Sequence, residues 1–504
     1  MDLSEDQRAA FETVADRLMA AGIDLLEGRV LPEAEPHAGT GALAITGRAG
    51  SGKTRLLAAL VAALSAAGVD TVTADWEGRK KRDRRSFAVL APTNKAAAVL
   101  RAQGVPATTI HRILYTPVYD PEFEKVAAWL AGEGPRPQIE GLTEAALDRA
   151  HHFYQTQQSI PGALAMAGLR GSDFITGWKR REQPLDIGLI DEASMLEERQ
   201  LKDLEDIFST LILFGDPAQL APVGQSGHMV FDDLPEPRRL TLSRIHRQAA
   251  DSPILDLAHA LGDADLGFED FERLVEQAAA RDPRIVVAPR VDAAMMARSP
   301  VLVWRNATRI RLIHAFRTAY GAPEEELLPG EPLICDGLEL PMKHRKRRID
   351  LEARGLIKGA PVIYLGPGRR PGFGRLHVLG AEDPRINVAC IIAIEKPGQE
   401  EPFIPYAAQL GARFLHGAAV TIHKAQGSQW PDVQVFAPDL YAAARSGREE
   451  AGIPLWKRLA YVAITRAEER LIWVTRYRLA LPDAPLGIDD LPAPAVPLQL
   501  TGEE

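Results

Sequence analysis

Cysteine is almost missing from this chain of 504 residues. Cys335 and Cys390 are the only two, and they form no CxxC pair, which excludes a disulfide framework and a thiolate zinc cluster. Long apolar runs are missing as well. The charge-free stretch Leu56–Val69 falls short of the ~20 residues that cross a bilayer and reads as a buried helix. The opening Met-Asp-Leu-Ser-Glu-Asp is acidic and lacks the apolar core of a secretory signal, so a soluble cytoplasmic protein without a membrane partner is expected. Surplus positive charge is lacking too: the formal net charge is −9, from 59 Lys and Arg against 68 Asp and Glu. On its face that balance argues against a polyanionic partner. Two local runs oppose it, Arg79–Arg85 and Lys343–Arg348. Surface charges are screened beyond about 8–10 Å, so the local field decides, although each run also fits a solvated loop.

What is present is an alternation of apolar strands and helical segments. Length alone suggests about three domains of ~150 residues. A helix begins near Ser4, and a Gly/Pro-containing loop covers residues 28–41. Strands are expected at 42–46, 87–91, 187–190 and 211–214, with an Ala/Leu-rich helix from Lys53. Near-continuous apolar strands joined by helices suit a parallel sheet covered on both faces, an α/β fold. Residues 116–184 interrupt the pattern with Pro117, Pro121, Pro135 and Pro137, then Ala-rich helical stretches and aromatics including Trp129, Phe153 and Tyr154, and read as an insertion. A second strand set follows at 301–304, 418–422, 433–436 and 471–474. Between its members, 333–411 is rich in Gly, Pro and short β-like runs such as Pro361–Leu365, the pattern of a small barrel.

Gly47-Arg48-Ala49-Gly50-Ser51-Gly52-Lys53-Thr54 fits G-x-x-x-x-G-K-[ST] and lies where a phosphate cradle must lie, after a strand and at the start of a helix. Glycines let backbone N–H groups turn toward phosphate oxygens, and the helix N-terminus adds its dipole. Lys53 would bridge the outer phosphates, and the Thr54 hydroxyl would take a Mg²⁺ position. Downstream, Asp191 and Glu192 close an apolar strand with adjacent carboxylates, at the edge where open α/β sheets bind ligands. Asp191 would hold Mg²⁺ and Glu192 would polarise an attacking water. The expected reaction is hydrolysis of a nucleoside triphosphate with Mg²⁺ as cofactor; that the nucleotide is ATP is what the family resemblance given next implies.

At this point a family resemblance becomes specific. Ile190–Met195 resembles the second motif of superfamily 1 helicases, in particular the RecD/Dda-like branch; Leu213–Val223 is similar to the third, His423–Gly427 to the fifth and Tyr461–Ala467 to the sixth. They occur in the family's order along nearly the whole chain. The resemblance implies two RecA-like P-loop domains with ATP between them and single-stranded DNA across their top. It implies a first ATPase domain from 1–115 and 185–243 with a wedge-like insertion at 116–184. The second RecA-like domain comprises 244–332 and 412–480, with an SH3-like β-barrel inserted at 333–411, and a Pro-rich tail occupies 481–504.

Carried over residue by residue, Gln7 matches the family's adenine-reading glutamine, though Ser4-x-x-Gln7 equally fits a capping box. Gln219 would sense the γ-phosphate. Arg247, in preference to Arg244, and Arg466 match the arginines that reach that phosphate, where a planar, permanent charge suits the transferring group. Pro92, Thr93, Asn94, Thr109, His111, Thr421, His423 and Lys424 match DNA contacts, with the Gly427 backbone completing the last group. Thr93 or Asn94 equally suits a helix N-cap, and His111 and His423 equally suit interior histidines. Val303–Thr308 resembles a segment bordering DNA, with Trp304 open to a core role. Two positions depart from the family: Ala425 stands where serine is common, and Gln429 where a ribose-binding glutamate is common, without charge assistance.

The resemblance implies a monomeric ATP-dependent DNA helicase moving 5′ to 3′ on single strands and separating duplex junctions. The aromatics of 116–184 would form the wedge, and Lys343–Arg348 would clamp the backbone. Replication or recombination proteins are candidate partners. An RNA-directed or dual helicase, and a non-motor P-loop subunit, are the alternatives that the motifs leave open.

Overall fold

The apolar runs become strands at the expected places, packed into two units, Met1–Ser252 and Pro253–Glu504. The computed structural model describes residues 3–31, 41–73, 85–119, 121–138, 143–157, 163, 175–181, 184–222, 225, 227–244, 252–339, 351, 354–379, 381, 384–398, 411–488 and 491. Arg247, residues 79–84, the run Lys343–Arg348, the side chains of Asn94 and Phe153 and most of the tail lie outside that description.

The first unit is built on seven strands: β1 (Gly41–Gly47), β2 (Asp70–Thr71), β3 (Ser86–Ala91), β4 (Ala107–Thr109), β5 (Leu185–Ile190), β6 (Phe208–Gly215) and β7 (Arg239–Leu242). Their order is β7-β1-β6-β5-β3-β2, with β4 also paired to β3, and every pairing is parallel. Parallel strands buried on both faces should be continuously apolar, and β3 and β5 are buried from end to end. Helices α1 (Glu5–Ala20), α2 (Lys53–Ala66) and α3 (Asn94–Ala102) contribute Val14, Leu18, Leu57, Leu60 and Leu100 to one core layer. Carboxyl ends of β1, β3, β5 and β6 therefore deliver the P-loop, Pro92–Thr93, Asp191–Glu192 and Asp216 to one edge.

Within 116–184, a two-stranded antiparallel pair, Tyr115–Tyr119 with Ile175–Arg180, carries helices Pro121–Leu130 and Glu144–Gln157. Trp129 stacks on His151 with ring centres 5.2 Å apart and receives Arg136 at 5.5 Å, while Tyr154 is buried.

The second unit holds β8 (Ile285–Asp292), β9 (Val301–Val303), five barrel strands, and then β15 (Ala419–Thr421), β16 (Trp430–Phe436) and β17 (Ala467–Ala480). The sheet order is β8-β17-β16-β9-β15, again all parallel. The barrel is closed by β10 (Pro332–Glu339), β11 (Pro361–Pro367), β12 (Phe373–Val378), β13 (Arg385–Ala393) and β14 (Gly411–His416). Its pairings are antiparallel except the β13–β14 seam. Both cysteines are free thiols in its core. Beneath it lies a buried polar cluster. Glu331 accepts from Arg317 Nε at 3.0 Å and Leu328 N–H at 2.7 Å, and lies 2.8 Å from His416 Nε2. Burial alone would raise the Glu331 carboxyl, but the His416 hydrogen bond and the Arg317 charge outweigh it and hold the group below its ordinary value. Among the described residues no helix is long and apolar enough to cross a membrane.

Candidate nucleotide site and nucleic-acid edge

The turn after β1 has the geometry of an anion cradle. Gly50 and Gly52 adopt left-handed backbone, φ 82° and 80°, which a side chain would strain. Gly47 faces the Ser51 hydroxyl so closely that any Cβ would collide with it. Lys53 opens α2 and folds its ammonium back over the loop, donating to the carbonyls of Gly47 at 2.5 Å and Arg48 at 3.2 Å. Ser51 Oγ is buried with no hydrogen-bond partner. Leaving a buried hydroxyl unsatisfied costs roughly 1–3 kcal/mol, a cost that an incoming phosphate oxygen would relieve.

Gln7 is wholly buried against this loop. Its Nε2 donates to Gly52 O at 3.0 Å, and its Oε1 accepts from Ser4 N–H at 3.0 Å. The return arm of a capping box is thus present, while the Ser4 hydroxyl turns to Asp6. Both halves of the Gln7 amide are engaged within the protein, so this glutamine braces the P-loop backbone in the observed state.

Asp191 and Glu192 follow β5. The Asp191 N–H donates to Leu90 O at 2.8 Å, fixing the strand end beside β3. Burial and then the Glu192 charge push the Asp191 carboxyl up to about 7, with Lys53 opposing. Two adjacent carboxylates with one cation nearby are the donor chemistry that a divalent ion satisfies. Glu192 sits at φ 52°, an uncommon conformation for a side-chain-bearing residue. Gln219, after β6, donates from Nε2 to Glu192 Oε2 at 3.2 Å and accepts from Ser194 Oγ at 3.4 Å. Three of the nominated residues therefore meet: Asp191, Glu192 and Gln219. Ser194 joins them and was missed, although it lies inside the Ile190–Met195 segment.

On the same edge Thr93 accepts from Ala96 N–H at 3.1 Å and Thr109 from Arg112 N–H at 3.4 Å. Both threonines cap helices, α3 and α4 (Ile110–Leu114), and Pro92 is half-buried. His111 is exposed and lies 4.6 Å, ring to ring, from Tyr115.

In the second unit Thr421 ends β15 and pairs in register with Val303 of β9, so Thr421–Lys424 and Trp304–Arg305 share one carboxyl edge. Lys424 is exposed. Burial lowers the His423 value, which keeps that ring neutral at pH 7 and able to accept or donate, but without adding charge. Gly427 has φ 68°, Gln429 is exposed, and Ala425 is buried, where serine would need a partner for its hydroxyl. Arg466 is buried, with Nε on Val462 O at 3.0 Å, Nη1 on Ser428 O at 3.1 Å and Nη2 on Thr465 Oγ1 at 3.1 Å. Its guanidinium is thus anchored within its own unit. Asp439 was not foreseen: its wholly buried carboxylate accepts from the N–H groups of Trp304 and Arg305 at 3.0 and 2.8 Å, from Arg305 Nε at 2.8 Å and from Thr308 Oγ1 at 2.7 Å.

No curated protein sequence matches the chain. Among solved structures it is similar to a Pif1 helicase from Bacteroides in complex with ADP-AlF3 and single-stranded DNA, at 15% identity and TM-score 0.45, covering 94% of this chain and 92% of that one. A Pif1 helicase from Candida albicans gives 16% identity and TM-score 0.44, covering 94% and 95%. Two family models match the sequence itself: an AAA domain over residues 36–283 and a UvrD-like helicase C-terminal domain over 416–474. The first contains the P-loop and the Asp191–Glu192–Gln219 group, and the second contains the His423–Gly427 and Tyr461–Ala467 segments. With these segments in family order on two parallel α/β sheets, the chain carries an AAA domain and a UvrD-like helicase C-terminal domain and resembles the superfamily 1 helicases of the RecD/Dda type.

Proposed function

We propose that this helicase couples Mg²⁺-dependent ATP hydrolysis to 5′-to-3′ movement along single-stranded DNA and opens duplex junctions ahead of it. The observation that carries the reading is the Glu192–Gln219–Ser194 hydrogen-bonded group at the carboxyl ends of β5 and β6. It ties the carboxylate suited to activating water to an amide suited to sensing a phosphate. Lys53 and the P-loop N–H groups would bind the phosphates, and Thr54 and Asp191 would hold Mg²⁺. When bound, the ion supplies positive charge to the phosphates. Glu192 orients and deprotonates water, and Gln219 reports phosphate loss through the same hydrogen bond. Arg466 and Arg247 would complete the charge compensation once Arg466 leaves its carbonyl partners. DNA would lie on the two edges formed by Pro92, Thr93, Asn94, Thr109 and His111 in one unit and by Thr421, His423 and Lys424 in the other, with phosphate contacts supplying most of the affinity.

The test is unwinding of matched duplexes bearing a 5′ DNA tail, a 3′ DNA tail or a 5′ RNA tail. Only the 5′ DNA tail should support ATP-dependent strand separation. Preference for the 3′ tail would overturn the polarity, and equal use of the RNA tail would make the enzyme a dual helicase. Absence of single-strand-stimulated hydrolysis would return it to a non-motor ATPase.

A further inference from the structure

Past its last pairing with β16, at Phe436 and Val474, β17 runs on beside β8 alone. The register of that two-stranded extension breaks. Ala288 pairs with Val474 and Arg290 with Arg478, so Thr475, Arg476 and Tyr477 stand opposite the single residue Pro289. Proline offers no N–H to a ladder, and a bulge of this kind bends the strand and re-aims its side chains. Thr475 Oγ1 pins the bulge through Ala288 O at 3.3 Å.

The side chain re-aimed here is Tyr477, 54% exposed although its ring is held on several sides. Phe436 meets it edge-on at 4.8 Å, the Arg311 guanidinium lies 5.5 Å from the ring centre, and Arg305 Nη2 donates to the phenol oxygen at 3.3 Å. Arg311, Arg476, Arg478 and Arg290 are all exposed. Arg290 and Arg478 are direct ladder partners, and like charges so placed repel unless an anion lies between them. Two acids close by in the chain are already committed. Asp439 is bound to Arg305 and to backbone, and Asp292 caps the helix Ala293–Met296 through two N–H groups. Arg305 connects the cluster to Trp304, and hence to the edge that carries Thr421–Lys424.

We propose that the Tyr477 bulge is an additional single-strand contact. Tyr477 forms a platform for one nucleobase, and Arg311, Arg476 and Arg478 take the flanking phosphates, extending the strand path along this unit from Trp304. The inference rests on the single-strand reading above. An exposed aromatic pre-held among arginines loses little freedom when a base stacks on it, and stacking tolerates any base.

The experiment measures equilibrium binding of oligothymidylates and of an equally long abasic strand to the full chain and to Tyr477→Ala, Tyr477→Phe and the double variant Arg476→Ala/Arg478→Ala. Thermal unfolding serves as the check on folding. Tyr477→Ala should weaken oligothymidylate binding about 5- to 150-fold, the range that loss of one stacked base implies. Tyr477→Phe should bind as the unaltered chain does, and the abasic strand should not discriminate among these three proteins. The arginine double variant should lower the log–log salt slope by about 1.4, because two phosphates are no longer neutralised. Equal weakening by Ala and Phe would make the Arg305 tether, and not stacking, the role of Tyr477, and would overturn the proposal. Unchanged DNA binding by every variant would overturn it too; poly-glutamate, titrated in parallel, would assign the patch to an acidic protein segment, and so overturn the proposal, if its binding alone were lost. If the unaltered chain fails to bind single strands at all, it is the helicase function proposed above that fails.

Discussion

The two sheets of this protein make the same strand-to-helix turn in opposite ways. After β1 the chain takes the long glycine-rich path Gly47–Gly52, leaving a buried hydroxyl unsatisfied. After β9 it passes through Trp304 and Arg305 straight into the helix Asn306–Ala319, and the anion is already there: the Asp439 carboxylate sits on those two N–H groups. One unit keeps its anion site for a ligand, and the other fills it with its own side chain. The same turn thus serves one sheet as an open cradle and the other as a fixed edge.

The contrast can be tested at several points. Lys53→Ala removes the cation from the open cradle, and ATP turnover should fall to background while single-strand binding survives; persistent hydrolysis would show that the cradle is not the nucleotide site. Asp439→Ala empties the filled one. Because it leaves buried N–H groups and a buried hydroxyl without an acceptor, it should cost about 3 kcal/mol in urea unfolding. A loss below about 1 kcal/mol would mean that the carboxylate is not what holds that turn.

A third prediction concerns pH. The Asp191 carboxyl is pushed up to about 7, by burial and then by Glu192, from an ordinary value of 3.8. Folding favours its protonated form, so this contribution to stability is complete below the unfolded value and is lost as pH rises through about 7. The nucleotide-free protein should lose stability across that window, and Asp191→Asn should flatten the decline. A parallel decline in both proteins would place the titration elsewhere. The smallest effect is expected from Gln429→Glu. If the exposed Gln429 faces the ribose, the added charge should tighten nucleotide binding by less than about tenfold; unaltered affinity on titration would remove it from the site.

Much of this contrast was legible in the sequence, and the rest was hidden for a physical reason. Strand positions followed from apolar runs, and the P-loop from residues whose spacing is their mechanism. Such signals are local. Asp439 lies 135 positions from Trp304 in the chain, and only the neighbouring course of β16 and β9 brings them together. Gln7 shows a milder limit, since its spacing from Ser4 disclosed a cap but not the bond across 45 positions to Gly52. Thr93 read ambiguously because a cap and a DNA contact ask for the same hydroxyl at the same strand end, and the cap that Thr109 forms was not anticipated. The bulge at Tyr477 was invisible because its cause, Pro289, belongs to another strand.

The barrel carries a consequence of a different kind. The chain enters it at Leu333 and leaves at His416, and those two residues are ladder partners, with Glu331 bound to His416 just beneath. The whole excursion therefore begins and ends at nearly one point in space. A module attached in that way can be enlarged, exchanged or removed without stretching the sheet that carries it, because the sheet experiences only the short distance between the two stems. Evolution and protein engineers alike would find this the easiest place in the molecule to change while leaving the sheet alone.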